Sequence, residues 1–165
     1  MKTNAYLHFK IIYRDDHLLE IEVSASNGKY CGVTTTYIEA NGERLSKLGQ
    51  MLLNFPENIE HRVMYELGAD NEYVKSIKET QKQFPTILAH LSYIGLDFHC
   101  IDAVGHAVTE ITLHTNTEED MVEGVDAKVY LKLPFEPESV TKFARELISM
   151  GTAKSGDATL QGYLK

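Results

Sequence analysis

Between Tyr6 and Ala25 the chain alternates with a period of two, and this constrains its fold more than any other feature of the sequence. Leu7, Phe9, Ile11 and Tyr13 interleave with Tyr6, His8, Lys10 and Ile12, and Leu19, Ile21, Val23 and Ala25 interleave with Glu20, Glu22 and Ser24. Successive side chains of a strand point to opposite faces, so each run predicts a strand with one face in a core. Asp15-Asp16 makes the turn between them, and Asn27-Gly28 ends the second with a strong hairpin signal. A third strand is expected from Tyr30 to Ile38, rich in Thr and β-branched residues, although its alternation does not say which face is inside.

The period then changes. Leu45, Leu48, Gly49, Leu52 and Leu53 follow the three-and-four spacing of a helix, with Asn41 as its cap and Phe55-Pro56 as its stop. Strand patterns return at His61 to Leu67, at Ile87 to Cys100, at His106 to Thr115 and at Ala127 to Leu133. Asp102-Ala103-Val104-Gly105 is the turn of the longest hairpin, with Gly105 supplying positive φ. The polar segment Asp70 to Gln83 reads as a loop or short insertion, and Glu118 to Glu123 as an acidic loop. A last helix carries Pro137 in its first turn, Glu136 and Glu138 at the positive end of its dipole, the stripe Val140, Phe143, Ala144, Leu147 and Ile148, and Gly151 as its C-terminal cap.

These elements predict an α+β fold: a mainly antiparallel sheet of about seven strands with two amphipathic helices packed on it. Residues 1–150 are expected to form the domain and residues 151–165 a C-terminal tail or edge strand. The two helical stripes pair residue by residue, Leu45 with Val140, Leu48 with Phe143, Gly49 with Ala144, Leu52 with Leu147 and Leu53 with Ile148. Each helix follows a run of strands, which suggests an internal duplication of three strands and a helix.

Composition narrows the function. A chain of 165 residues with 43% hydrophobic and 24% charged residues has the balance of a globular domain. It is long enough to bury about two thirds of its unfolded surface without a metal or disulfide. Cys31 and Cys100 stand far apart with no C-x-x-C spacing, so they are expected to be small buried hydrophobes. The N-terminus alternates at once and lacks the apolar run of a secretory signal, and no run approaches the length of a membrane helix; a cytoplasmic protein without a membrane partner is expected. The net charge of −8 repels phosphate backbones, so nucleic acid is not an expected partner; it would steer a basic protein towards the surface, although a solubility role explains the charge more simply.

No glycine or serine pattern supports nucleotide binding or a hydrolase nucleophile, and no cofactor is expected. His99 and Cys100 fall on opposite faces of a strand and cannot act together. Four of the seven histidines, His90, His99, His106 and His114, lie in or beside the long hairpin, with Asp97, Asp102 and Glu110 among them. His106, Glu110 and His114 share a strand face but are too far apart end to end to hold one ion. His99, Asp102 and His106 around the turn form the more compact set, the candidate for metal or acid-base chemistry. A structural role explains them more simply, since Asp102 can bond the turn backbone and His106 can begin the strand. Tyr30, Tyr37, Tyr65, Tyr93 and Tyr130 fall on strands, where tyrosine suits either a recognition surface or an ordinary half-buried position.

The run Asp102-Ala103-Val104-Gly105-His106 with the alternating strand to Leu113 resembles a segment of small bacterial proteins of unassigned function, some of whose relatives are immunity proteins that neutralise wall-associated, contact-dependent toxins. The strand, Glu-Pro and helix at Leu131 to Phe143 and the strand, helix and Phe-Pro at Cys31 to Pro56 are similar to the same group. The segment Asp70 to Gln83 departs from it, and no functional residue carries over. The resemblance implies a non-catalytic, protein-binding module, with a basic toxin domain as partner. The alternatives are a metal-dependent or acid-base enzyme built on His99, Asp102 and His106, and an accessory module that binds a small ligand, which would need an enclosed apolar pocket.

Overall fold

The computed structural model describes residues 4–68, 92–117 and 125–164. The segment Asp70 to Gln83, the first residues of the strand expected from Ile87, His90 and the acidic loop from Glu118 to Glu123 lie outside the described residues. The elements run β1 (Ala5–Arg14), β2 (Leu18–Asn27), β3 (Cys31–Glu39), α1 (Glu43–Leu52), β4 (Arg62–Gly68), β5 (Tyr93–Cys100), β6 (Ala107–Thr117), β7 (Val125–Phe135), α2 (Pro137–Ala153) and β8 (Asp157–Gln161).

Among the described residues the α+β class and the two helices are as expected, but the strands form two four-stranded antiparallel sheets instead of one sheet of about seven. Their orders are β3-β2-β1-β8 and β4-β5-β6-β7. Three consecutive strands build most of each sheet. The fourth comes from elsewhere: β8, which follows α2, lies against β1, and β4, which follows α1, lies against β5. Alternation identifies a half-buried strand but carries no information about its partner, so this exchange was not visible in the sequence. A bridge between Phe135 and Gly162 joins the end of β7 to the chain just after β8.

Local turn chemistry acts as expected. Asp15 Oδ1 accepts the N–H groups of His17 and Leu18 at 2.7 and 2.9 Å, and Asn27 Oδ1 accepts those of Lys29 and Tyr30 at 3.1 and 2.9 Å. The register of β1 shifts between Ile11 and Tyr13, so Tyr13 stands opposite Glu20 and leaves the buried face to which simple alternation assigned it. In β3 the buried residues are Thr34, Thr36 and Ile38, while Val33 and Tyr37 face outward. The Thr34 and Thr115 hydroxyls bond each other, linking β3 to β6.

Residues from the inner faces of both sheets and from both helical stripes form one contiguous core. Phe55, Phe98 and Phe135 pack edge-on or tilted at centroid distances near 6 Å, and Phe9 meets Phe143 at 5.8 Å. The helices also pack on each other. Asn41 Oδ1 does accept the Glu43 N–H, but the N-cap is Gly42, whose φ of 71° and whose approach to α2 both exclude a side chain; a Cβ there would lie 2.2 Å from the Gly151 carbonyl oxygen. Gly151 is correspondingly not a cap. It is a buried helical residue at the crossing, and α2 ends instead at Lys154, whose φ is 55° and whose N–H bonds the Met150 carbonyl at 2.8 Å. Beyond it, residues 157–161 are the edge strand β8, and Ala158 and Leu160 enter the core. No helix among the described residues is long and apolar enough to cross a membrane.

Candidate functional site

The compact histidine set divides. Asp102 Oδ1 accepts the N–H groups of Val104 and His106 at 3.1 and 3.0 Å, and Oδ2 bonds His106 Nδ1. These bonds hold the Asp102 carboxyl below its ordinary range, His106 contributing most. Both side chains are substantially exposed, and Gly105, with φ of 90°, completes the turn. His99 lies elsewhere, on the outer face of the second sheet beside Asp97 and Glu110. Among the described residues, that trio is the set of His and carboxylate ligand atoms that lie within 4.8 Å of one another.

Strand geometry accounts for the trio. Asp97 and His99 are two apart on β5 and so share its outer face, and the β5–β6 register places Glu110 directly opposite Asp97. Directly opposed like charges destabilise a sheet unless they are compensated. Compensation comes from the two flanking strands. Arg62 of β4 donates from Nε to Asp97 Oδ1 at 2.8 Å and from its terminal nitrogen to Oδ2, and Lys132 of β7, opposite Glu110, lies 3.0 Å from Oε1. The guanidinium holds the Asp97 carboxyl below the usual carboxylate range; the Tyr130 hydroxyl and then Lys132 do the same for Glu110. His99 Nδ1 stands 3.4 Å from Asp97 Oδ1 without hydrogen-bond alignment, and it is shielded from solvent. Arg62 and Lys132 had no signal in the sequence, and Tyr130 stood out there only as a strand tyrosine, because only the register of four strands brings them to Asp97 and Glu110.

Asp97 and Glu110 of this cluster themselves line an open depression of about 1290 Å³ between α1 and the second sheet, with Arg44, Glu66, Tyr93 and Tyr130 among its other walls. Tyr93 donates to Glu66 at 2.9 Å, and burial, then that carboxylate, push its hydroxyl up to about 12. The depression is open to solvent and lined by polar and apolar groups together, unlike the enclosed apolar pocket expected of a small-ligand module.

The outer face of the first sheet differs in character. Tyr13, Glu20 and Tyr37 lie side by side across β1, β2 and β3, and the next row holds Lys10, Glu22 and Thr35 with Asp157 at the β8 edge. Tyr13 and Tyr37 are 52% and 53% exposed, and Val33, further along β3 on the same face, is 60% exposed. None of the described elements covers this face. Cys31, expected to be buried, is exposed at its margin, because β3 turns its odd-numbered residues outward.

Comparison with known proteins finds no matching family model, no similar curated protein and no similar solved structure.

Proposed function

We propose that the protein is a non-catalytic binding module that uses the outer face of its first sheet to hold a basic protein partner, in the manner of an immunity protein masking a toxin domain. The observation that carries this reading is the row Tyr13, Glu20 and Tyr37 on the outer face, with both tyrosines exposed and the carboxylate between them half-buried, and with Val33, Glu22 and Asp157 on the same face. Tyrosine supplies rigid contact area with a polar tip, and carboxylates between the rings favour a cationic surface while the overall charge of −8 steers it in. The similarity to immunity proteins points to a cationic toxin domain encoded beside this gene.

The test is association of the full chain with that toxin domain, measured by calorimetry, together with rescue of cells that express it. Tyr37→Ala and the double variant Glu20→Lys, Glu22→Lys are each expected to weaken binding by about 30-fold, as loss of a contact worth about 2 kcal/mol does. Thr112→Ser, on the second sheet, leaves it unchanged. Absence of both binding and rescue sinks the proposal.

The topology further supports descent from two copies of one unit, three strands, a helix and a strand, with the fourth strands exchanged. Replacing β1 to β4 by β5 to β8, and the reverse, converts one sheet order into the other. The matched helical stripes, with Gly49 of α1 packed against Ala144 of α2, support the same reading.

A further inference from the structure

The geometry points to a divalent-metal site of Asp97, His99 and Glu110 on the outer face of the second sheet, suited to a Zn²⁺-class ion and separate from the proposed partner-binding face. Three observations carry it. The ligand atoms already lie within 4.8 Å of one another, so rotation about side-chain bonds brings them onto one ion without moving the backbone. His99 Nδ1 is shielded from solvent and stands 3.4 Å from Asp97 Oδ1 without hydrogen-bond alignment, so the imidazole already faces the carboxylate with which it would share an ion. The β5–β6 register holds the two carboxylates directly opposite each other, with His99 two residues along β5 on the same outer face.

The flanking cations are compatible with this role. Each carboxylate oxygen has two lone pairs, and Arg62 uses one on each oxygen of Asp97, while Lys132 takes Oε1 of Glu110 and the Tyr130 hydroxyl donates to the same carboxylate. Lone pairs therefore remain for an ion, and the basic groups orient the carboxylates as outer-shell partners do. Their positive charge also lowers affinity, so binding is expected to be moderate. One imidazole with two carboxylates favours Zn²⁺ over Mg²⁺, which prefers oxygen ligands and keeps its waters.

The experiment uses the full chain, freed of metal with a chelator and titrated with Zn²⁺ by calorimetry, with Mg²⁺ in parallel. Expected are one Zn²⁺ per chain, weaker binding of Mg²⁺, and a loss of about 100-fold or more in Zn²⁺ affinity in His99→Ala and in Glu110→Gln. His106→Ala, in the neighbouring turn, retains full affinity. Nitrogen-15 NMR of the unmodified protein provides a readout independent of variant folding: Zn²⁺ shifts the Nδ1 resonance of His99 and leaves that of His106 in place. No saturable binding, an unmoved His99 resonance, or loss of the ion in His106→Ala overturns the proposal.

Discussion

Gly49 of α1 faces the backbone of α2 at Ala144 so closely that a Cβ on residue 49 would stand 2.5 Å from the Ala144 carbonyl oxygen and 2.7 Å from Ile148 Cγ1. In an isolated helix, Gly→Ala is stabilising by about 1 kcal/mol. Here the close approach dominates, because the obstruction is backbone and cannot rotate away. Gly49→Ala is expected to destabilise the protein by about 1–3 kcal/mol, as overpacking does. Urea unfolding checks it, and a gain in stability would show that the helices can separate freely.

The pairing of Arg62 with Asp97 sets a pH dependence. The Asp97 carboxyl lies below its ordinary value of 3.8 in the fold, so its contribution to stability is present above that value and is lost as pH falls through the folded pKa. Removing the guanidinium in Arg62→Gln raises the Asp97 pKa towards 3.8. The stability difference between wild type and variant is therefore largest near neutrality and vanishes in acid. A carboxyl carbon-13 titration follows the pKa directly, and an unchanged value in the variant refutes the assignment.

Tyr93 supplies the alkaline counterpart. Its hydroxyl is pushed from 10.0 to about 12, chiefly by burial and secondarily by Glu66. Folded protein holds this proton more tightly than unfolded chain does, so the contribution is intact below pH 10.0 and is lost as pH rises to about 12. Glu66→Gln is expected to lower the Tyr93 pKa only in part, because burial remains. Ultraviolet titration of wild type, Glu66→Gln and Tyr93→Phe separates this ionisation from those of the other tyrosines.

Because β4 and β8 each complete the sheet of the opposite half, the halves depend on each other. A chain cut between Gly68 and Ser92 is expected to give two fragments that are each unfolded alone, and that regain the native circular dichroism spectrum when coexpressed. Independent folding of either fragment would show that the exchanged strand is dispensable.

Much of the local structure was legible in advance. Asp15, Asn27, Asp102 and Gly105 make the turns that their side-chain chemistry predicts, and Leu45, Leu48, Leu52, Val140, Phe143 and Leu147 are buried as their spacing requires. The candidate site was half legible: Asp102 and His106 do bond, whereas His99 belongs with Asp97 and Glu110.

By itself, then, the sequence determined the α+β class, the hairpins, the two helices and the residues that fill the core. These depend on period, capping and turn chemistry, which act over a few residues. Tertiary structure decided the division into two sheets, the exchange of β4 and β8, the role of Gly151 in a helix crossing, and the meeting of Arg62, Asp97, His99, Glu110 and Lys132. Strand partners and register are chosen by hydrogen bonds and packing between segments far apart in the chain, and many pairings satisfy the same local alternation. The acid and tyrosine face and the carboxylate and histidine cluster are both products of that choice.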